Sequence, residues 1–523
     1  MPLPLRLYRL AVLILLALAA CGGGTAADPF QTIDHPAAAA EDTPASNTSV
    51  ADAGLQATVT AAPSTPTASG AAASISPETT AAASRSNTQY SLSATLDYAR
   101  RYLAVEQSIQ YTNNSPDALN DLLLMVEPAY FPGTFQLKAL RWKDGQEVAG
   151  AAWEGTRLRL PLRQPLDPGE QITLSISYAL NLPSPTPSPL TRPVVFGFTS
   201  RQINLVDWYP FIPPYIPGQG WLAHAQGYFG EHQVYEIADF QVELKLAEAA
   251  YGGQPLAVAA SAPADQEAQV YRYHLEAARN FAFSISHDYR MLTEKVGPVT
   301  VIGYSFPIHA SAGEAVLKAT AQALDLYQKL YGPYPRNTLT VVEADFLDGR
   351  EYDGLYFLSN GFYNLYQGDP AGYLTAIAVH ETAHQWWYAQ VGNDQALEPW
   401  LDEALCTYSE HVFFENVYPE ALDWWWAYRV NYYQPQGWVD GNIYNPEGFR
   451  PYRDAVYLNG AVFLDELRKA VGDEAFFATL KDYAALYSQK LATGKDFFTV
   501  LAKHSSADIS GLVKTYFQNN PMP

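Results

Sequence analysis

The chain has 523 residues, 48% of them hydrophobic and only 16% charged, with a formal net charge of −22. That length and apolar content suit two or three domains with real cores. The acidity argues against a nucleic-acid binder, because phosphate backbones demand a surplus of Lys and Arg.

Arg6 and Arg9 precede an apolar run, Leu10 to Ala20, which is followed by Cys21 and Gly22-Gly23-Gly24. The run is about 11 residues, too short to span a bilayer and suited to a signal-peptide core. Its ending, Leu18-Ala19-Ala20-Cys21, resembles a bacterial lipobox. By that resemblance residues 1–21 are a lipoprotein signal peptide and Cys21 is the lipid attachment point. The chain is then expected outside the cytoplasm, tethered to the membrane as a bacterial cell-surface lipoprotein. The alternative is an ordinary secretory signal cut nearby. Residues 22–88 are rich in Ala, Thr, Ser and Pro and nearly lack large apolar side chains. Such a stretch buries too little surface to offset its ordering entropy, so it reads as a disordered tether. The only other cysteine, Cys406, reads as a small buried residue.

Residues 89–293 carry short apolar or alternating runs, among them Leu119 to Val126, Leu158 to Leu162, Ile172 to Tyr178 and Phe240 to Leu244. Turn residues such as Pro168-Gly169 separate them. The pattern predicts a β-sandwich-like N-terminal domain. The aromatic stretch Trp208 to Tyr215 reads either as a cleft lining or as a packed loop.

The texture changes near residue 294. A strand over Val299 to Tyr304 leads to a helix opened by a capping box at Ser311-Ala312-Gly313-Glu314 and closed by Gly332-Pro333. Leu317, Thr320, Ala321, Leu324, Gln328 and Tyr331 mark one side of that helix. A strand over Thr338 to Ala344 follows, then a turn at Asp348-Gly349 and a strand over about Glu351 to Leu358.

Residues Ala376 to Val391 contain no Gly or Pro and read as one helix. Within it, His380-Glu381-Thr382-Ala383-His384 stacks two imidazoles on one face, since residues i and i+4 lie above one another. Neutral imidazole suits zinc, and Glu381 can reach a reacting water without being a ligand. A catalytic zinc keeps three protein ligands. Trp400-Leu401-Asp402-Glu403-Ala404-Leu405 starts a second helix after Pro399, and Glu403, with 18 residues between it and His384, supplies the third. His411 and His504 fit no ligand spacing.

His380-Glu381-x-x-His384-x18-Glu403, with Trp386-Trp387 behind it, resembles the aminopeptidase N family of gluzincin zinc metallopeptidases. The resemblance covers about residues 294 to 480 and extends loosely over the β-rich part. It implies a multidomain α+β protein in which residues 294–523 form a thermolysin-like α/β catalytic domain with a short helical tail. It also implies one Zn2+ ion, peptide substrates and hydrolysis of N-terminal peptide bonds with Glu381 as general base. Gly349-Arg350-Glu351-Tyr352-Asp353-Gly354-Leu355 matches the family strand that lies along the substrate, so Glu351 would bind the free α-amino group. Val456-Tyr457-Leu458-Asn459-Gly460-Ala461 matches the segment of the catalytic Tyr, so Tyr457 would stabilise the oxyanion. The plainer readings are an edge-strand carboxylate for Glu351 and a core aromatic for Tyr457. Arg350 replaces the usual Met and Tyr352 a frequent Asn, both beside the amine site, which bears on exopeptidase preference. The chain stops about 60 residues after Tyr457, where many members continue into a large helical domain. Helices over Ala461 to Val471 and Asp473 to Leu486 are expected there, with a more open cleft. Two other activities fit the same residues: an endopeptidase using the same zinc site, and a catalytically silent surface binding protein.

Overall fold

A computed structural model describes residues 86, 88–185, 194–227, 229–445 and 448–523. The signal segment, Cys21 and nearly all of the tether lie outside the described residues. Thr88, placed at the end of the tether, already opens the first strand, Thr88–Asp97. That strand buries every second side chain, the period of a half-buried strand.

It lies in a seven-stranded sheet whose strands begin, in spatial order, at residues 265, 270, 238, 88, 102, 171 and 135. All neighbours are antiparallel except Thr88–Asp97 and Ala238–Leu246, which run parallel. Sheets of three and four strands and two two-stranded ones accompany it in the β-rich part. The expected strands appear as Leu119–Met125, Arg157–Leu166, Gln171–Asn181 and Ala238–Leu246. In the stretch from Trp208 to Tyr215, Trp208, Tyr209, Phe211 and Ile212 are buried in the β core, so the packed-loop reading holds.

A five-stranded sheet follows, in the order Arg290–Val296, Val299–Ser305, Thr338–Ala344, Leu355–Ser359 and Gly349–Tyr352. All seven residues of Thr338–Ala344 are buried. Leu339 and Val341 enter a core made with the helices, whereas Val342 and Ala344 enter the core of the β-rich part. The central strands are therefore apolar on both faces, as a doubly covered sheet requires. From residue 86 onward the described residues form one compact unit.

Three local expectations need correction. The long helix spans Ala310–Tyr331 and begins before Ser311, behind a 3-10 turn over Pro307–His309. No side chain caps it, and Glu314 instead pairs with Arg290 at 2.8 Å. Its buried side includes Leu317, Thr320, Ala321, Leu324 and Tyr331, while Gln328 is only partly covered and Tyr327 takes the inner position. The single strand expected over Glu351 to Leu358 is a hairpin, because Gly354 at φ 75° turns the chain between Gly349–Tyr352 and Leu355–Ser359. The third correction concerns the motif helix, which spans Tyr373–Ala383 and ends well short of Val391. The tail is helical as expected, with Gly460–Val471 and Asp473–Leu486, followed by Gly494–His504 and Ser510–Tyr516. Among the described residues no helix is long and apolar enough to cross a membrane.

Candidate metal centre

The motif helix is buried from Leu374 to Ala383, so it sits inside the fold and its sequence needs no polar face. Five residues past its end, Tyr388 takes φ 137°, a backbone strain that packing must hold. Arg279, 3% exposed and reaching in from the β-rich part, supplies that hold. Its guanidinium donates to the carbonyls of Tyr388, Ala389 and Gln390, and to those of Tyr235 and Lys490, at 2.5–3.2 Å. Gly392 leaves room for it, since a Cβ there would lie 2.4 Å from Arg279 Cζ. The shortened helix therefore leaves His384 at its C-cap, directly before this turn.

His380, His384 and Glu403 converge, each offering a ligand atom within 4.8 Å of the others, and all three are buried. Glu403 Oε2 lies 3.2 Å from His380 Nε2 and 3.6 Å from His384 Nε2. Tetrahedral zinc with bonds of about 2.0–2.1 Å has ligand–ligand edges of about 3.3 Å, so the spacing fits one such ion. The outer nitrogens are committed elsewhere. His380 Nδ1 meets Glu410 Oε1 at 2.9 Å, and His384 Nδ1 meets the Trp387 carbonyl at 3.1 Å. Such partners turn Nε2 of each ring toward a metal. Glu410 is itself held by Arg429 at 2.7 and 2.8 Å and by Trp425 Nε1 at 2.9 Å.

The electrostatics agree with a cation site. Burial disfavours the His380 imidazolium, but the Glu403 and Glu410 carboxylates outweigh it and raise its pKa to about 9. Burial likewise opposes ionisation of Glu403, yet its hydrogen bonds to His380 and His384 hold it far below the usual carboxylate range. The trio is built to surround positive charge, which a divalent ion can carry in place of protons.

Glu381 is buried beside the trio, with Oε2 free of any hydrogen-bond partner. Burial pushes its pKa up to about 8 against the pull of the two imidazoles. Its other oxygen lies so close to Gly349 that a Cβ there would stand 2.0 Å from it, which explains the glycine. Glu351 sits on the edge strand yet is 5% exposed, accepts from Gln395 Nε2 at 3.1 Å, and lies with Glu381 and His384 in a second trio of ligand atoms within 4.8 Å. It is therefore not a solvated edge carboxylate. The Tyr457 hydroxyl donates to Glu403 Oε1 at 2.6 Å, so it faces the ligand set and is not a plain core aromatic. Cys406 is buried, with Sγ 3.8 Å from the Trp387 carbonyl. His411 is buried and His504 pairs with Asp482, both away from the centre.

Residues 367–516 match the model of the peptidase family M1 domain. This part of the chain is similar to the M1 peptidase domain. Similar curated proteins include probable aminopeptidase 2 of Sulfurisphaera tokodaii, 23% identical over 254 residues, covering 44% of this chain and 32% of that protein. Aminopeptidase N of Lactococcus lactis is 26% identical over 158 residues, covering 28% of this chain and 19% of that protein. The chain thus spans about a third or less of the length of these relatives. The M1 zinc metallopeptidase of Deinococcus radiodurans shares the fold, with a TM-score of 0.58 at 17% identity over 84% of this chain and 95% of that one. A two-domain M1 zinc metallopeptidase mutant bound to L-arginine superposes with a TM-score of 0.60 at 18% identity, again over 84% and 95%. The M1 match includes His380, Glu381, His384, Glu403 and Tyr457, whereas Glu351 lies upstream of it.

Sequence reading missed four residues that shape the candidate metal centre. Glu410 carried a signal, since it stands two helical turns from Glu403 on the same face. Gly349 was visible only as a motif letter. Arg429 and Arg279 carried none, because each arrives from a distant element.

Proposed function

We propose that the chain is a zinc metallopeptidase that removes N-terminal residues from peptides. The observation that carries this is the short reach between the two trios. Glu351, the candidate amine anchor, lies within 4.8 Å of Glu381 and of His384, a ligand of the candidate metal. Consecutive Cα atoms are about 3.8 Å apart, so an amine held at Glu351 leaves room for one residue before the bond being cut. A mutant of the Deinococcus radiodurans M1 metallopeptidase is bound to a Tyr-Ser-Ala substrate, a short peptide of the expected class.

Zinc held by His380, His384 and Glu403 supplies Lewis-acid activation of a carbonyl group and of a water. Glu381, with its unpaired buried oxygen, takes the proton from the attacking water and returns it to the leaving amine. The Tyr457 hydroxyl, one hydrogen bond from Glu403, donates to the oxygen that gains charge. Glu351 receives the substrate ammonium in a charge-assisted bond that selects a free N-terminus.

Zinc-loaded full-length protein is expected to release the N-terminal residue from short peptides with a free amine, to spare their acetylated counterparts, and to stop when a chelator is added. Equal cleavage of both sets makes it an endopeptidase. No cleavage of either favours a silent binding protein. Tyr457→Phe is expected to lower kcat about 100-fold with little change in KM. An unchanged kcat removes Tyr457 from the reaction.

We further propose that Cys21 carries a lipid and tethers the enzyme to an extracytoplasmic membrane face. The lipobox-like sequence supports this, and the residue lies outside the described structure. Cys21→Ser is expected to abolish incorporation of radiolabelled fatty acid in a bacterial host. Labelling that persists in the variant rules Cys21 out.

A further inference from the structure

Arg350 and Glu351 are consecutive on the edge strand Gly349–Tyr352, and their charges matter in opposite ways for an amine site. Strand geometry sends their side chains to opposite faces. Glu351 pairs in register with Tyr356, which packs into the helical core, and Arg350 with Phe357, which packs into the β core. On its own side Arg350 is only 16% exposed and forms an ion pair with Glu231, itself 15% exposed. Its guanidinium also stands 6.0 Å from the centre of the Tyr352 ring.

Glu231 belongs to an irregular segment that the β-rich part lays against the catalytic part. On one side Phe229 packs on Tyr452, with ring centres 4.9 Å apart, and on Phe449. Gly230, at φ 69°, admits no Cβ, which would stand 2.5 Å from Ile443. Earlier in the segment the Ala225 carbonyl accepts from the Tyr444 hydroxyl at 2.7 Å, and His224 meets Asp394 at 2.9 Å. The backbone of Glu231 is thus fixed by contacts on the catalytic part.

A buried guanidinium that loses its carboxylate must find another, because an uncompensated buried charge is strongly disfavoured. Two further carboxylates, Asp207 and Glu351, act on Arg350; Asp207 already accepts from the Tyr352 hydroxyl, and a flexible arginine stem can round a sheet edge to reach Glu351. Taking Glu351 as the amine anchor of the aminopeptidase reading, we propose that Glu231 is a positioning residue. It holds the Arg350 guanidinium away from Glu351, so that the Glu351 carboxylate stays free for a substrate ammonium group. The β-rich part thereby completes the amine pocket through a residue that touches no substrate.

The test is titration calorimetry of L-leucine and N-acetyl-L-leucine into zinc-loaded full-length protein, alongside kcat and KM on a free-amine peptide. Wild type is expected to prefer leucine. Glu231→Gln, which keeps size and removes charge, is expected to weaken leucine binding and raise KM at least about tenfold, with kcat less affected. Arg350→Met, a flexible uncharged replacement, is expected to retain leucine affinity. The double variant is expected to return to within about threefold of wild type, since the freed cation is gone. Leucine affinity unchanged in Glu231→Gln overturns the proposal. So does equal damage from both single variants with no rescue in the double, which marks the pair as purely structural. If wild type binds both ligands alike or binds neither, Glu351 is no amine anchor, and the aminopeptidase reading falls together with the role of Glu231.

Discussion

Glu381→Gln is expected to keep one zinc per chain and lose turnover by about 10³-fold or more, near the upper range for removing a general base. The substitution is nearly isosteric, which matters because Gly349 already lies against the carboxylate with no space to spare. The ligands His380, His384 and Glu403 converge without help from Glu381, and their orientation comes from Glu410 and the Trp387 carbonyl. Metal content should therefore stay intact while proton transfer fails, since an amide cannot accept the proton. Burial raises the Glu381 pKa to about 8 in the metal-free chain. A divalent cation beside it favours the ionised form that a base needs. Metal analysis and turnover measured on the same preparation decide the matter. Turnover within tenfold of wild type removes Glu381 from the role of base. Loss of zinc together with activity makes it a metal-site residue instead.

Arg279→Met is expected to be the most damaging single change outside the ligand set, by about 3–5 kcal/mol of stability. Five backbone carbonyls converge on this guanidinium, and burial lowers its pKa against the pull of Tyr388, Asp353 and Glu236. Methionine offers no donor, so these carbonyls lose it; that of Gln390 keeps the Gln489 amide at 2.7 Å, and each one left buried and unpaired costs about 1–3 kcal/mol before relaxation. The strained turn at Tyr388 loses its hold at the same time. Since the Trp387 carbonyl that orients His384 stands at the start of that turn, zinc affinity should fall as well. Thermal unfolding is expected to shift down by about 3–5 °C. Chelator competition should show zinc released more readily than from wild type. If the unfolding midpoint and zinc affinity both match wild type, the turn holds itself and Arg279 is dispensable.

The two predictions touch different layers of one site, and the sequence was unequally informative about them. Glu381 was identifiable from five consecutive residues, because a helix converts the i and i+4 spacing of His380 and His384 directly into a shared face. Arg279 lies more than a hundred residues before the turn it holds, and no periodicity connects them. The same contrast separates Glu410, visible as another residue on the Glu403 helix face, from Arg429, which reaches it from a separate π-helical stretch, Trp425–Val430.

Local rules also misplaced boundaries for identifiable reasons. The capping box at Ser311 lost to a helix that starts behind Pro307 and sends Glu314 to Arg290. The motif helix contains no breaker, so propensity does not account for its end at Ala383, and the turn that follows is held by Arg279 from the β-rich part.

What the sequence determined by itself was the periodic and the local: the alternation of the β-rich part, the buried helix carrying His380 and His384, Glu403 at the head of the next helix, and through them the metal chemistry. Tertiary structure alone decided the rest. It buried Glu351 on an edge strand within reach of the metal ligands, turned Tyr457 toward Glu403, tied Arg350 to Glu231 and packed Arg279 into the turn behind His384. Side-chain periodicity is a property of a single element, whereas these contacts arise only when distant elements share one core, and no spacing along the chain encodes that meeting.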